Sequence, residues 1–318
     1  MMRALLSVLM VLGCLLGGCG KKAEAVNKVT IGVSLPSQDH GWTGGVVWWA
    51  EKTAREMMAN DADIDIKVVT AKDASEQVNQ VENMLTMGIK ALVILPHEPG
   101  PLTKICESAK ADGVYLVVVD RNLDRPLQDL SVVGDNPGFG KACGETMVKF
   151  LNGKGNIVIM EGIPCQVNTD RVEAFKAEIA KAPGIKILDS QPAYWDTEKA
   201  LKLMENYLQK HGKIDAVWTG DDDVLIGALK AYEESGRKDV KCFIGGAGSK
   251  VIVKKVLDKD PLVPFDVTYP PSMIAVGMKA AIDHVRGVVP DQGNLIKVPA
   301  EVITPENAQK FYFPDSVY

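Results

Sequence analysis

Residues 115–122 read Tyr115-Leu116-Val117-Val118-Val119-Asp120-Arg121-Asn122. From Tyr115 to Val119 the run is apolar at odd and even positions alike. That suits a strand covered on both faces, as a parallel sheet requires. The run then ends abruptly on an acid, a base and an amide. The same pattern recurs along the chain. Short, mostly β-branched runs predict strands at Val29–Leu35, Ile64–Thr70, Ala91–Leu95, Tyr115–Asp120, Ser131–Gly134, Asn156–Met160, Ile185–Ser190, Ala216–Thr219 and Cys242–Gly245. Amphipathic stretches alternate with them. In Glu198–Lys210, for example, Leu201, Met204 and Leu208 fall on one helical face.

Alternating strands and helices predict a doubly wound α/β architecture. Ligands in such sheets bind beyond the carboxyl ends of the strands. The residues just after each predicted strand are therefore the informative ones, and they are polar or aromatic. They are Gln38-Asp39-His40-Gly41-Trp42, Pro96-His97-Glu98, Asp120-Arg121-Asn122, Cys165–Arg171, Tyr194-Trp195-Asp196 and Asp221-Asp222-Asp223.

The 318 residues suit two lobes better than one domain. Acids outnumber bases, 41 to 36, which argues against nucleic acid as a partner and against a basic membrane-binding patch. Residues 1–18 form a targeting segment. Arg3 is followed by an apolar run, Ala4–Leu16, too short for a permanent membrane span. Leu16-Gly17-Gly18-Cys19 then matches the lipobox of bacterial lipoproteins. Cleavage before Cys19 and acylation of that residue would leave residues 19–27 as a tether and anchor the chain to a membrane. Of the remaining cysteines, Cys14 is lost with the targeting segment. Cys106, Cys143, Cys165 and Cys242 lie far apart, without zinc-ligand spacing. They read as small apolar residues, and spacing does not decide whether any two are bridged.

Catalytic signatures are missing. Gly245-Gly246-Ala247-Gly248-Ser249-Lys250 lacks the order of a phosphate loop and reads as a tight strand-to-helix turn. No serine elbow or metal-binding histidine pair occurs, and no metal or cofactor is expected. Asp221–Asp223 reads as one ligand contact plus a helix N-cap. Asp120-Arg121 sets an acceptor beside a forked donor, which suits vicinal hydroxyls. Trp42 and Trp195 could cover the C–H faces of a sugar, whereas Trp48, Trp49 and Trp218 read as packing residues.

At these residues the chain resembles the type I periplasmic sugar-binding family, near the ribose-binding and glucose/galactose-binding proteins. The resemblance covers about residues 28–312. It is strongest at Val117–Arg121, Ser190–Asp196, Ala216–Leu229 and Pro299–Ala308. It implies two Rossmann-like lobes joined by three crossovers near residues 134, 268 and 291. The first lobe would hold residues 28–133 and 269–290, the second 134–268 and 291–318. It implies ligand contacts at His40, Trp42, Asp120, Arg121, Arg171 with Asn168 in the same turn, Trp195, Asp221 and Thr268, with Tyr269 beside Thr268. Three departures stand out. Leu95 replaces an asparagine of the ribose proteins, leaving His97 or Glu98 to substitute. Asp221 stands where an asparagine is usual, and Ala247 where an aspartate follows the strand. The implied function is capture of a sugar or sugar-like polyol by a monomeric, exported protein that presents its closed form to an ABC permease. Rival readings are a sensor for a chemoreceptor or receptor kinase, and an exported carbohydrate-active enzyme using Asp120 and Asp221. A transcriptional repressor core would share the fold, but the export signal opposes it.

Overall fold

The computed structural model describes residues 28–38, 41–288 and 293–318. Cys19, His40 and the crossover expected near 291 lie outside these residues. The first half runs β1 (Val29–Pro36), α1 (Gly41–Asn60), β2 (Ile64–Ala71), α2 (Ala74–Thr86), β3 (Ala91–Ile94), α3 (Pro99–Ala111), β4 (Tyr115–Val119), β5 (Leu130–Gly134) and α4 (Asn136–Phe150). It continues β6 (Lys154–Glu161), α5 (Gln166–Ala180), β7 (Gly184–Pro192), α6 (Thr197–Lys210), β8 (Ala216–Trp218), α7 (Asp222–Ser235), β9 (Cys242–Ile244) and α8 (Lys250–Leu257). Last come β10 (Asp266–Val267), α9 (Met273–Val285), β11 (Leu295–Val298) and β12 (Val302–Ile303).

Two parallel sheets result. The first has the order β11-β5-β4-β3-β1-β2, the second β7-β6-β8-β9. Buried apolar residues pair across the strands. Val93 of β3 lies between Val33 of β1 and Val117 of β4, and all three are fully buried. All nine predicted strands are present. A one-residue slip would gain nothing by alternation here, because both faces are covered, so pairing depth and helix packing fix the register. In the second lobe Phe175 of α5 stacks on Trp218 of β8 at 4.0 Å, and Trp218 is core as expected. Helices start where side chains satisfy their first amides. Asp73, Asp135, Asp196, Asp221 and Ser249 each cap a helix.

In both sheets the strand order reverses beside the first strand, between β1 and β3 and between β6 and β8. The loops after these strands therefore splay apart and leave a crevice. The chain passes from β5 to α4 at Gly134, and from β10 to α9 through Thr268–Ser272. One boundary needs correction. Residues 291–318 were expected in the second lobe, but Leu295–Val298 pairs with β5 as the edge of the first sheet. The chain returns only at 299–301, to β12, which pairs antiparallel with β10. Cys106, Cys143 and Cys242 are buried, Cys165 is exposed, and all four are free thiols. Burial pushes the Cys106 and Cys242 thiols up to about 12.

A buried acidic pair underlies the second crossover. Asp222 accepts from the amides of Gly246 (2.8 Å) and Ser249 (2.7 Å), tying the β9–α8 turn to α7. Beside it lies the fully buried Asp266. Burial pushes the Asp266 carboxyl up to about 7, against the weaker downward pull of the Val267 amide and the Asp222 carboxyl. A carboxyl raised in this way holds its proton more tightly in the folded chain. Its stabilisation is complete below the unfolded value of about 4 and fades as pH rises through about 7. Asp266→Asn should flatten this decline in a urea-unfolding series across the window. Parallel curves for the two proteins would refute the assignment.

Candidate functional site

The crevice between the lobes is a cleft of about 610 Å³. From the first lobe, α1 contributes Trp42, the β3–α3 loop His97, and the end of β4 Asp120 and Arg121. Facing them are Arg171 on α5, Trp195 on the β7–α6 loop, Asp221 at the start of α7 and Ala247 after β9. Tyr269, on the second crossover, lines the floor.

Local backbone geometry aims these side chains. Asp120 (φ 63°), Trp195 (φ 55°) and Ala247 (φ 103°) all adopt positive φ without being glycine. Such residues cost about 1–3 kcal/mol each and persist where the surroundings over-determine them. At Asp120 the strand stops dead, with the Arg121 amide donating back to Val119 O at 2.8 Å.

Tyr269 ties the cleft together. Its hydroxyl donates to Asp120 Oδ1 at 2.5 Å, and its carbonyl accepts from Trp42 Nε1 at 2.9 Å. Burial and the Asp120 carboxylate hold the phenol well above its usual range, so it remains a neutral donor. The ring lies so close to β5 that a Cβ at Gly134 would sit 2.0 Å from it, which excludes a side chain there. Against the same ring lies the Arg171 guanidinium, 4.2 Å from its centre and 4.6 Å from that of Phe139. Arg171 is only 4% exposed. Neutral oxygens hold it: Nε donates to Asn136 Oδ1 (2.9 Å) and Nη1 to Gly220 O (3.0 Å). Nη2 makes no hydrogen bond among the described residues, leaving a donor for the cleft.

Asp221 combines both expected features. It lines the cleft, and it caps α7 by accepting from Asp223 N (2.8 Å) and Val224 N (3.4 Å). Burial pushes its carboxyl well above the ordinary range, with Asp223 and Asp222 adding and Arg171 opposing. Two sequence-derived positions lie elsewhere. The Thr268 hydroxyl accepts from the Glu301 amide at 2.9 Å, and Thr268 does not line the cleft. Asn168 does not line it either; its buried Oδ1 accepts from Gly162 N at 2.6 Å and fixes the β6–α5 loop. His40 lies outside the described residues. Sequence reasoning passed over Ile163 and Asn136, took in Gln166 only within the stretch Cys165–Arg171, and named Tyr269 only as the neighbour of Thr268. Only Tyr269 carried a signal, an aromatic at a lobe crossover.

The family model described as periplasmic binding protein domain matches residues 31–288. The chain belongs to that family. Among periplasmic binding protein relatives, it is 28% identical over 281 residues to the galactofuranose-binding protein of Escherichia coli (strain K12), covering 85% of this chain and 86% of that protein. It is 31% identical over 232 residues to the xylitol-binding protein of Mycolicibacterium smegmatis, covering 71% and 64%. A solved structure, the periplasmic binding protein component of the arabinose ABC transporter from Shewanella sp. ANA-3 bound to L-arabinofuranose, superposes with a TM-score of 0.76. Its identity is 25%, over 89% of this chain and 94% of that one.

Replacing Arg171 with lysine tests the floor. A lysine cannot serve Asn136 and Gly220 together or stack flat on Tyr269. Losing one charge-assisted bond costs about 1.5–3 kcal/mol. The urea midpoint of Arg171→Lys should fall accordingly, and an unchanged midpoint would remove Arg171 from this role.

Proposed function

We propose that this protein is the substrate-binding component of an ABC importer and captures a neutral sugar or polyol between its lobes. The observation that carries the reading is the complement of groups facing one cleft from both lobes. Asp120 offers an acceptor, Arg121 and Arg171 offer donors, and Trp42 and Trp195 offer apolar planes. Hydroxylated rings and chains present that mixture of vicinal hydroxyls and C–H faces. The relatives named for galactofuranose and xylitol, and the arabinofuranose-bound structure, support the same class of ligand. A ligand touching both walls stabilises the closed arrangement in proportion to its differential affinity for it. The permease then reads the closed form, and no bond of the ligand is broken. His97 and Asp221 sit where they can tune which hydroxyl pattern is accepted. The protein acts as an exported monomer, anchored to the membrane through lipid on Cys19.

A thermal-shift screen over pentoses, hexoses, polyols and amino sugars tests the class. At a hundredfold excess over its dissociation constant, a true ligand adds about 2.7 kcal/mol of stability. It should be recovered chemically unchanged after long incubation; product accumulating in proportion to protein would overturn the reading. In calorimetry with that ligand, Asp120→Ala should weaken binding by about 1.5–3 kcal/mol, roughly one to two decades. Wild-type affinity in the variant would show that Asp120 serves only Tyr269.

Anchoring has its own test. Cys19→Ala should move the protein from the membrane to the soluble fraction without altering ligand affinity. A wild-type chain free of lipid by mass spectrometry would exclude the anchor.

A further inference from the structure

Segment 313–318 crosses from one lobe to the other beside the cleft. It leaves the second lobe after a 3-10 turn, Ala308–Phe311, that packs on α8. Lys250 Nζ of α8 donates to the Ser316 carbonyl. The segment then lies on α1 of the first lobe. Phe313 meets Trp49 edge-on at 4.9 Å. Tyr318 is buried, and its hydroxyl has no hydrogen-bond partner among the described residues.

The face of α1 that receives Tyr318 is made of glycine. A Cβ at Gly45 would lie 2.9 Å from Tyr318 Cβ and 2.9 Å from Pro271 Cγ. A Cβ at Gly41 would lie 2.6 Å from Asp223 Oδ1 and 2.9 Å from Tyr318 Cδ2. Gly41 and Asp223 belong to different lobes, and the Asp223 carboxylate lies directly against the Gly41 backbone, whose amide pulls the Asp223 carboxyl downward against the larger effect of burial. Trp42 directly follows Gly41, and Asp221 lies two residues before Asp223. Both line the cleft. The contact therefore sets the spacing between one residue of each wall.

We infer that Gly41, Asp223 and Tyr318 form an interlobe latch that positions Trp42 and Asp221 for binding and slows reopening of the cleft. The inference rests on the reading above that the lobes close around a ligand. Tyr318 is the clasp: its buried ring packs on the same spot of α1 and shields the Gly41–Asp223 contact from water, and polar contacts so shielded are worth more. The close approach leaves no room for a methyl group at Gly41, so alanine there would prop the latch open. As an isolated helix residue, alanine is favourable.

The full-length chain answers by small-angle scattering without ligand and by stopped-flow tryptophan fluorescence. The probe is whichever of D-ribose, L-arabinose and xylitol binds the wild type. Tyr318→Ala and Gly41→Ala should each enlarge the ligand-free radius of gyration. Each should also speed probe dissociation by roughly tenfold, within the usual range of coupling between sites. Tyr318→Phe should behave as wild type, because the hydroxyl is unpartnered. If both disruptive variants keep the wild-type radius and dissociation rate, even with a lower melting temperature, the segment is mere packing and the latch is refuted. If none of the probes binds the wild type, the ligand reading above loses its support among these sugars. The scattering comparison then decides the latch alone.

Discussion

The hydrogen bond from Tyr269 to Asp120 is the constraint on which the cleft depends. Tyr269 sits on a crossover, so its position is set by how the two lobes meet. Through one side chain and one carbonyl it fixes Asp120 and Trp42 of the first lobe and carries Arg171 of the second on its ring. These residues come from β4, α1 and α5, which share no local sequence. A buried, neutral phenol suits the role because it can donate only one proton, and Asp120 takes it. The absence of a side chain at Gly134 lets the ring sit flush against the first crossover. Hinge and binding floor are thus one structure.

Charge around this floor is arranged unusually. Arg171 is deeply buried and held by neutral oxygens, while Asp221, Asp222 and Asp266 are buried nearby without direct lysine or arginine partners among the described residues. The costs of burial are met in different ways. Asp221 and Asp222 accept amides at the start of α7 and in the β9–α8 turn, where oriented N–H groups favour negative charge. The carboxyls of all three are pushed up, so protons relieve part of the repulsion. Arg171 keeps a free donor because no carboxylate among the described residues claims it. A floor built this way offers strong hydrogen-bonding groups without a dominant charge, which fits a neutral hydroxylated ligand better than an anion.

The nine predicted strands were legible from their β-branched, apolar runs, most plainly β3, β4, β8 and β9, where nearly every residue is buried. Leu295–Val298 was not, because an edge strand needs only one partner and here carries Lys297 and an exposed Leu295. The two-residue strands β10 and β12 are too short for any periodicity. In the site, the rule that function gathers after parallel strands found Trp42, His97, Asp120, Arg121, Trp195 and Asp221 in one cleft. The crossover residue Thr268, implied by the resemblance and not by this rule, misses the cleft by one position. Side chains in an extended segment alternate sides, so Thr268 faces the Glu301 amide while Tyr269 faces the cleft. In the opening turn of α5 the rule named both Asn168 and Arg171. Nothing in the sequence says that Asn168 would turn back to the Gly162 amide.

The strained residues explain how a cleft of two moving halves can still be specific. Asp120, Trp195 and Ala247 hold positive φ on both walls, each at a strand end or in the loop just beyond one. Strain of this kind is kept only by rigid surroundings, here the buried strands β4 and β9 and the helices capped by Asp196 and Ser249. On the proposed reading, closure would then turn on the crossovers and leave the walls as they are. A ligand meets two preformed half-sites, and its binding energy goes into joining them, not into ordering either one. Selectivity follows from the same division. A hydroxyl out of place on one wall cannot be accommodated by relaxing that wall; it must hold the lobes apart, which also strips the ligand of its contacts on the other.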